Sequence, residues 1–163
     1  MIALVLLLIP YWAGAPSQTA IPKDFAIHFE FGLCWRDVVD TRTDRYVRDL
    51  VVDDAKRTIA LGLSNGQRRQ LFEWVAESRF FELPSALHSS EEKNGTITER
   101  IPSESFLISI QQSGVQHQVT FDDTGDENSG AVLRVKTLVQ RLSRFFTQLP
   151  QVRRLPKPAV GCL

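Results

Sequence analysis

Cysteine is scarce in this chain of 163 residues: there are two, Cys34 and Cys162, and they form no C-x-x-C pair. With no H-x-x-H or H-E-x-x-H spacing either, a zinc ribbon or zincin-type site is not encoded. The Walker A and dinucleotide-binding glycine patterns are also missing, which removes the common phosphate cradles. Net charge is lacking too. Lysine plus arginine number 19, as do aspartate plus glutamate, so the chain is not a dedicated nucleic-acid binder by composition. The balance is uneven along the chain. No acidic residue follows Glu127, whereas Arg134, Lys136, Arg141, Arg144, Arg153, Arg154 and Lys157 do. This arrangement predicts either a basic helix lying against an acidic body or a basic contact patch formed by Arg134, Arg141, Arg144, Arg153, Arg154 and Lys157.

Charge is also missing from the start of the chain, where no charged side chain precedes Lys23. Ile2 to Ile9 is an unbroken apolar run, followed by Pro10 and the small residues Ala13, Gly14, Ala15 and Ser17. The run is too short for a membrane span, which needs about 20 apolar residues. It reads as the apolar and cleavage regions of a secretory signal over residues 1–17, without the usual basic start. The mature chain is then expected to be periplasmic or secreted, with no transmembrane span. In that oxidising setting an even cysteine count predicts one bridge, Cys34 to Cys162. The alternative is two unpaired thiols.

What is present is an ordinary globular balance, 43% hydrophobic and 23% charged, in a length that suits one domain over residues 18–163. Phe25, Ile27, Phe29 and Phe31 alternate with Ala26, His28 and Glu30, the period of a half-buried strand. Tyr46–Val52 and Thr58–Leu63 read as further strands. From Ser64, the rows Leu71–Val75 and Phe72–Ala76–Phe80 have helical spacing. Residues 85–103 are polar and read as a long loop containing the Asn94-Gly95-Thr96 sequon. Phe106–Gln111 and Val115–Phe121 flank a hairpin signal. The stripe Val135, Leu138, Val139, Leu142, Phe145, Phe146 and Leu149 predicts a second helix packed on the sheet, with an irregular tail from Pro150. Arg79-Phe80-Phe81 and Arg144-Phe145-Phe146 each lead to a Leu-Pro, as either a duplicated unit or a shared helix-exit device would.

Three constellations are candidates for chemistry. Gly62-Leu63-Ser64-Asn65-Gly66 matches G-x-S-x-G between a predicted strand and helix, which would make Ser64 a nucleophile. No aspartate lies between Ser64 and His117, the last histidine, and Gln67 three residues on makes a capping box the simpler reading. His28 and Glu30 on one strand face, with His117 on another strand, would form a three-ligand metal site if those strands were neighbours. Asp37, Asp40 and Asp44 are a third possible cluster. Asp122–Asn128 resembles a calcium loop only superficially, because its oxygens miss the EF-hand positions.

Phe31-Gly32-Leu33-Cys34 closing the first strand is followed by Leu63-Ser64 opening a helix. That helix ends in Phe80-Phe81-Glu82-Leu83-Pro84, before a hairpin carrying Val119 and a C-terminal helix. Over roughly residues 25–149 this order resembles small exported bacterial domains of unknown function, with Cys34-Trp35-Arg36 in place of a Cys-Pro-x-Tyr pattern. The resemblance implies a bacterial envelope setting and no activity.

The expected fold is α+β: a mostly antiparallel sheet of about five strands with two amphipathic helices on one face. The expected function is non-catalytic binding of a protein or an anionic envelope component, with no cofactor. The alternatives are a small secreted hydrolase, a metal-site enzyme, or a protease inhibitor presenting Arg153-Arg154-Leu155-Pro156.

Overall fold

The computed structural model describes residues 20–33, 36–51, 55–89, 91–93, 96–98, 103–125 and 130–159. Residues 1–17, read above as a secretory signal, together with Cys34, Trp35, Cys162, the Asn94-Gly95 pair of the sequon and residues 126–129, lie outside the described residues.

The fold is α+β. Its strands are β1 (Ala26–Phe31), β2 (Asp37–Asp40), β3 (Arg45–Asp49), β4 (Lys56–Ala60), β5 (Ala86–Ser89), β6 (Glu91–Lys93), β7 (Thr96–Thr98), β8 (Glu104–Gln112) and β9 (Val115–Asp123). The helices are α1 (Asn65–Glu77), α2 (Gly130–Gln148) and the single turn α3 (Pro150–Arg153). Seven strands form one mixed sheet in the order β4-β3-β2-β1-β8-β9-β5, and β6 pairs separately with β7. All neighbours in the large sheet are antiparallel except β5 and β9, which run parallel.

Several expectations are corrected. The sheet has seven strands rather than about five, because two were not read from the sequence. β2 is four residues long, begins and ends with aspartate, and offers only Val38 and Val39 as apolar signal. β5 lies in the segment read as a loop; its pairing with β9 supplies backbone partners that its polar sequence does not advertise. The predicted Tyr46–Val52 and Thr58–Leu63 strands shift to Arg45–Asp49 and Lys56–Ala60. The tail from Pro150 is not irregular at its start, since Pro150 occupies the first turn of α3, where a missing N–H costs nothing.

Strand alternation sets the two faces of the sheet. Ile59, Tyr46, Val39, Phe29, Ile108 and Val119 are successive cross-strand partners from β4 to β9, so they share one face. Leu71, Phe72 and Val75 of α1 and Val135, Leu138, Leu142 and Phe146 of α2 are buried in the same cluster as those strand residues. Both long helices therefore cover one face, as the alternation predicts. Phe29, Phe106 and Phe121 stack in series, with ring centroids 6.3 and 5.9 Å apart. Each fully buried side chain of this kind contributes about 1.5–3 kcal/mol. The opposite face carries His28, Glu30, Asp40, Ser109, Gln116 and Gln118 and lines a shallow depression of about 330 Å³.

The two Arg-Phe-Phe segments have different structures. After α1, Arg79 takes φ 51° and breaks the helix, so Phe80 turns into the core through a 3₁₀ turn over Phe80–Glu82. Arg144-Phe145-Phe146 stays inside α2, which continues to Gln148. Neither a repeated unit nor a shared exit device describes both.

Candidate functional site

Ser64 sits at the N-cap of α1, and its hydroxyl is committed there. Ser64 Oγ accepts from the Gln67 N–H at 3.2 Å, while Gln67 Oε1 accepts from the Ser64 N–H at 2.9 Å. This is the reciprocal capping box expected from Ser-x-x-Gln, and it accounts for the G-x-S-x-G match. Gly62 contributes φ +60° to the approach, and its N–H donates to Asp44 Oδ1 at 2.9 Å.

The histidines do not converge. Ile27 pairs with Ile110 and Ile110 with His117, whereas His28 pairs with Ser109 and Ser109 with Gln118. His28 and His117 are thus on opposite faces of the sheet. On the open face, His28 Nε2 lies 3.1 Å from Glu30 Oε1, and Arg36 Nη1 donates to Glu30 Oε2 at 3.1 Å. Partial burial works against ionisation of Glu30, but the bonds from His28 and Arg36 outweigh it and hold its carboxyl below the usual range. On the helix face, His117 packs against Phe80 at 5.5 Å between centroids, and its Nε2 lies 2.8 Å from the Leu83 carbonyl. A carbonyl can only accept, so Nε2 carries the proton. Among the described residues no group of three or more His, Cys, Asp or Glu side chains could share an ion.

The aspartates separate as well. Asp37 is buried on the helix face, where it accepts from the Tyr46 hydroxyl, from Arg48 Nε at 3.3 Å and from the Asp49 N–H at 3.3 Å. Asp40 caps a turn by accepting from the N–H groups of Arg42 and Thr43, and Asp44 holds Gly62. In the calcium-like segment, Asp123 accepts from Ser89 at 2.8 Å and pairs with Lys136 at 3.0 Å. Asp122 accepts from Ser105 and pairs with His88. These carboxylates tie strand ends to each other and to α2.

The basic residues divide between internal pairing and exposure. Arg141 pairs with Glu77 and lies over Trp74, its guanidinium carbon 5.9 Å from the ring centroid. Arg134 reaches Glu82 at 4.0 Å, and Glu82 is already held by Arg79. Arg144, Arg153, Arg154 and Lys157 are exposed. Arg153 closes the α3 turn, and Leu155 packs against the core, so Arg153-Arg154-Leu155-Pro156 is helical and turned rather than extended. The tail then runs to Ala159, whose N–H donates to the Leu50 carbonyl at 3.2 Å.

A concavity of about 630 Å³ lies between the two long helices, and the sequence does not single it out. Its floor is Trp74 and Phe145, which meet edge to face at 5.8 Å, with Leu149 and Pro150 at one end. Gln67, Gln140, Arg144 and Gln148 form the rim. Phe146 is fully buried as its stripe predicts, but Phe145 is only half-buried and belongs to this floor rather than to the core. The signal available was the place of Phe145 at the edge of the α2 stripe rather than at its centre. A second hollow of about 250 Å³ continues the groove past Trp74 and Arg141 to Leu133 and Arg134. Most of the exposed wall area is apolar, with Gln67, Thr137, Gln140, Arg141, Arg144 and Gln148 supplying polar groups, the make-up common to ligand-binding concavities.

No protein-family model matches the chain, and no curated protein matches it. No described helix is long and apolar enough to cross a membrane.

Proposed function

We propose that the protein is an exported, non-catalytic binding module that recognises a protein or an anionic component of the cell envelope or extracellular space. The observation that carries the reading is the inter-helix groove, which combines a Trp74–Phe145 floor with the Arg141 and Arg144 side chains. Its other support is that the groups with reactive potential have structural employment. The Ser64 hydroxyl caps α1, and the His117 imidazole anchors the Leu83 turn. Export rests on the uncharged, apolar start of the chain over residues 1–17. In an oxidising compartment Cys34 and Cys162 would form the one disulfide.

Two measurements test the reading. Intact mass of the protein from its own host, alkylated with and without reduction, is expected to show a lost leader and thiols that react only after reduction. A full-length mass with two freely alkylated thiols would remove the export claim. The non-catalytic claim fails if hydrolytic turnover on ester or peptide panels disappears with Ser64→Ala or with His28→Ala.

A further inference from the structure

We infer that the groove between α1 and α2 receives an acidic amphipathic helix of a partner protein. The inference rests on the binding-module reading and names the chemistry of the partner. The groove consists of two hollows along α2 that share Trp74, Thr137 and Arg141, with the Arg141–Glu77 pair lying over Trp74 where they meet. From Leu133 to Gln148 it follows about 22 Å of α2 at the usual helical rise, the length of a four-turn helix. Its apolar floor suits a helix laid lengthwise, the mode in which an apolar stripe fills a groove between two helices.

The charges along it specify the partner's sign. Arg79, Arg134, Arg141 and Arg144 stand on this side of the molecule against Glu77 and Glu82. Glu82 is held by Arg79 at 2.5 Å, and Arg134 reaches it only at 4.0 Å. One Nη of Arg134 is buried without an acceptor among the described residues. Arg144 is exposed on the rim and makes no ion pair among the described residues. With Arg141 paired to Glu77 and Arg79 to Glu82, the excess cations are Arg134 and Arg144, ten residues and about 15 Å apart along α2. Carboxylates repeated along a partner helix match that spread. A single-headed amphiphile such as a fatty acid presents one anionic group, whereas two separated cations, Arg134 and Arg144, stand along this groove.

The test uses the mature protein with three probes. They are a synthetic helical peptide with a leucine stripe flanked by glutamates at heptad spacing, the same peptide with lysines for glutamates, and dodecanoate. Anisotropy of the labelled peptides gives affinity, and amide chemical-shift changes locate the contact. The expected result is saturable binding of the glutamate peptide with shifts centred on Trp74, Gln140 and Phe145. Arg144→Glu should weaken it about tenfold, as expected for a rim charge, and strengthen the lysine peptide in return. That reciprocal change is one that mere loss of structure does not produce. Gln140→Glu, exposed on the same rim, repeats the test if Arg144→Glu does not fold. Equal binding of both peptides, indifferent to Arg144→Glu, would overturn the acidic partner while leaving the binding module. Shifts at the groove with dodecanoate and none with either peptide would overturn the helix in favour of an amphiphile. No peptide binding, together with turnover lost on a single substitution, would overturn both readings.

Discussion

The hydroxyl of Tyr46 donates to the carboxylate of Asp37, and both groups are buried beneath the helices. Arg48 completes the cluster, with Nε 3.3 Å from Asp37 Oδ2 and Nη2 3.1 Å from the Tyr46 oxygen. Burial raises the Asp37 carboxyl above its ordinary range, opposed by the Tyr46 bond and by Arg48. Burial and the Asp37 charge likewise push the Tyr46 phenol well above its usual value, so it remains a donor at any physiological pH. The cluster fixes the β2–β3 end of the sheet, where apolar side chains are few.

Tyr46→Phe keeps the ring and removes the donor. The loss expected at neutral pH is about 1.5–3 kcal/mol, the range for a hydrogen bond to a charged group. The raised Asp37 carboxyl determines how that loss varies with pH. Its linked stability is fully present below the unfolded pKa, near ~3.9, and is lost as pH rises through the higher folded value. The phenol donor offsets part of that loss by favouring the ionised form. The penalty of Tyr46→Phe should therefore shrink as pH falls toward and below that range. Urea melts at several pH values check this; a penalty independent of pH would mean that the phenol does not act on the Asp37 charge.

How much of this was legible in the sequence follows from signal strength. β1 announced itself through Phe25, Ile27, Phe29 and Phe31, and α2 through nineteen residues with one broad apolar stripe. The Ser64–Gln67 cap was legible because its partners are local. β2 and β5 were not, since four residues carry too little periodicity to compete with aspartate and histidine in the same stretch. The separation of His28 from His117 depends on the register between β1, β8 and β9, which is a long-range fact. The groove depends on how far apart α1 and α2 sit, and Trp74 and Phe145 become a floor only once both helices are placed.

Ser64→Ala should destabilise the protein by about 1 kcal/mol, within the usual range of about 0.5–2 for an N-cap. The reason is that Ser64 Oγ is the acceptor for the Gln67 N–H. Ser64→Asp or Ser64→Asn should retain most of the stability, because either side chain can accept the same bond. A thermal melt of the three variants decides it. If Asp and Asn are as damaging as Ala, the hydroxyl has another task.

Asp24 fastens the turn between β8 and β9. Its two oxygens accept from the Ser113 N–H at 2.9 Å and the Gly114 N–H at 2.6 Å, where both turn residues have positive φ. The Gly114 bond is the main cause of a carboxyl held below its ordinary value; desolvation opposes it, and the Ser113 bond adds to it. A depressed folded pKa contributes stability that is present above the unfolded pKa, near ~3.9, and lost as pH falls through the folded value. Asp24→Asn should thus lower stability at pH 7 and flatten the acid limb of the stability curve. Hydrogen exchange at Ser113 and Gly114 should quicken in the variant at neutral pH. Unchanged exchange there would mean that the carboxylate does not hold the turn.

Val51 lies in the turn between β3 and β4, which is closed by the Leu50 N–H donating to the Ala55 carbonyl at 2.9 Å. Its φ is 68°, a left-handed conformation that a β-branched residue adopts only under strain. Asp49 helps to hold it there, its Oδ1 accepting the Val51 N–H at 2.8 Å. The residue is 39% exposed, so burial offsets only part of the cost. A left-handed residue other than glycine costs about 1–2 kcal/mol, and glycine at the site returns about 0.4–1 of that through greater freedom in the unfolded chain. Val51→Gly should therefore raise stability by up to about 1.6 kcal/mol, read as a higher urea midpoint at unchanged slope. Val51→Ala, which keeps a Cβ in the same conformation, should recover less. If glycine lowers the midpoint instead, the Val51 side chain makes contacts worth more than the strain it imposes, and the turn is held by packing rather than by the Asp49 bond.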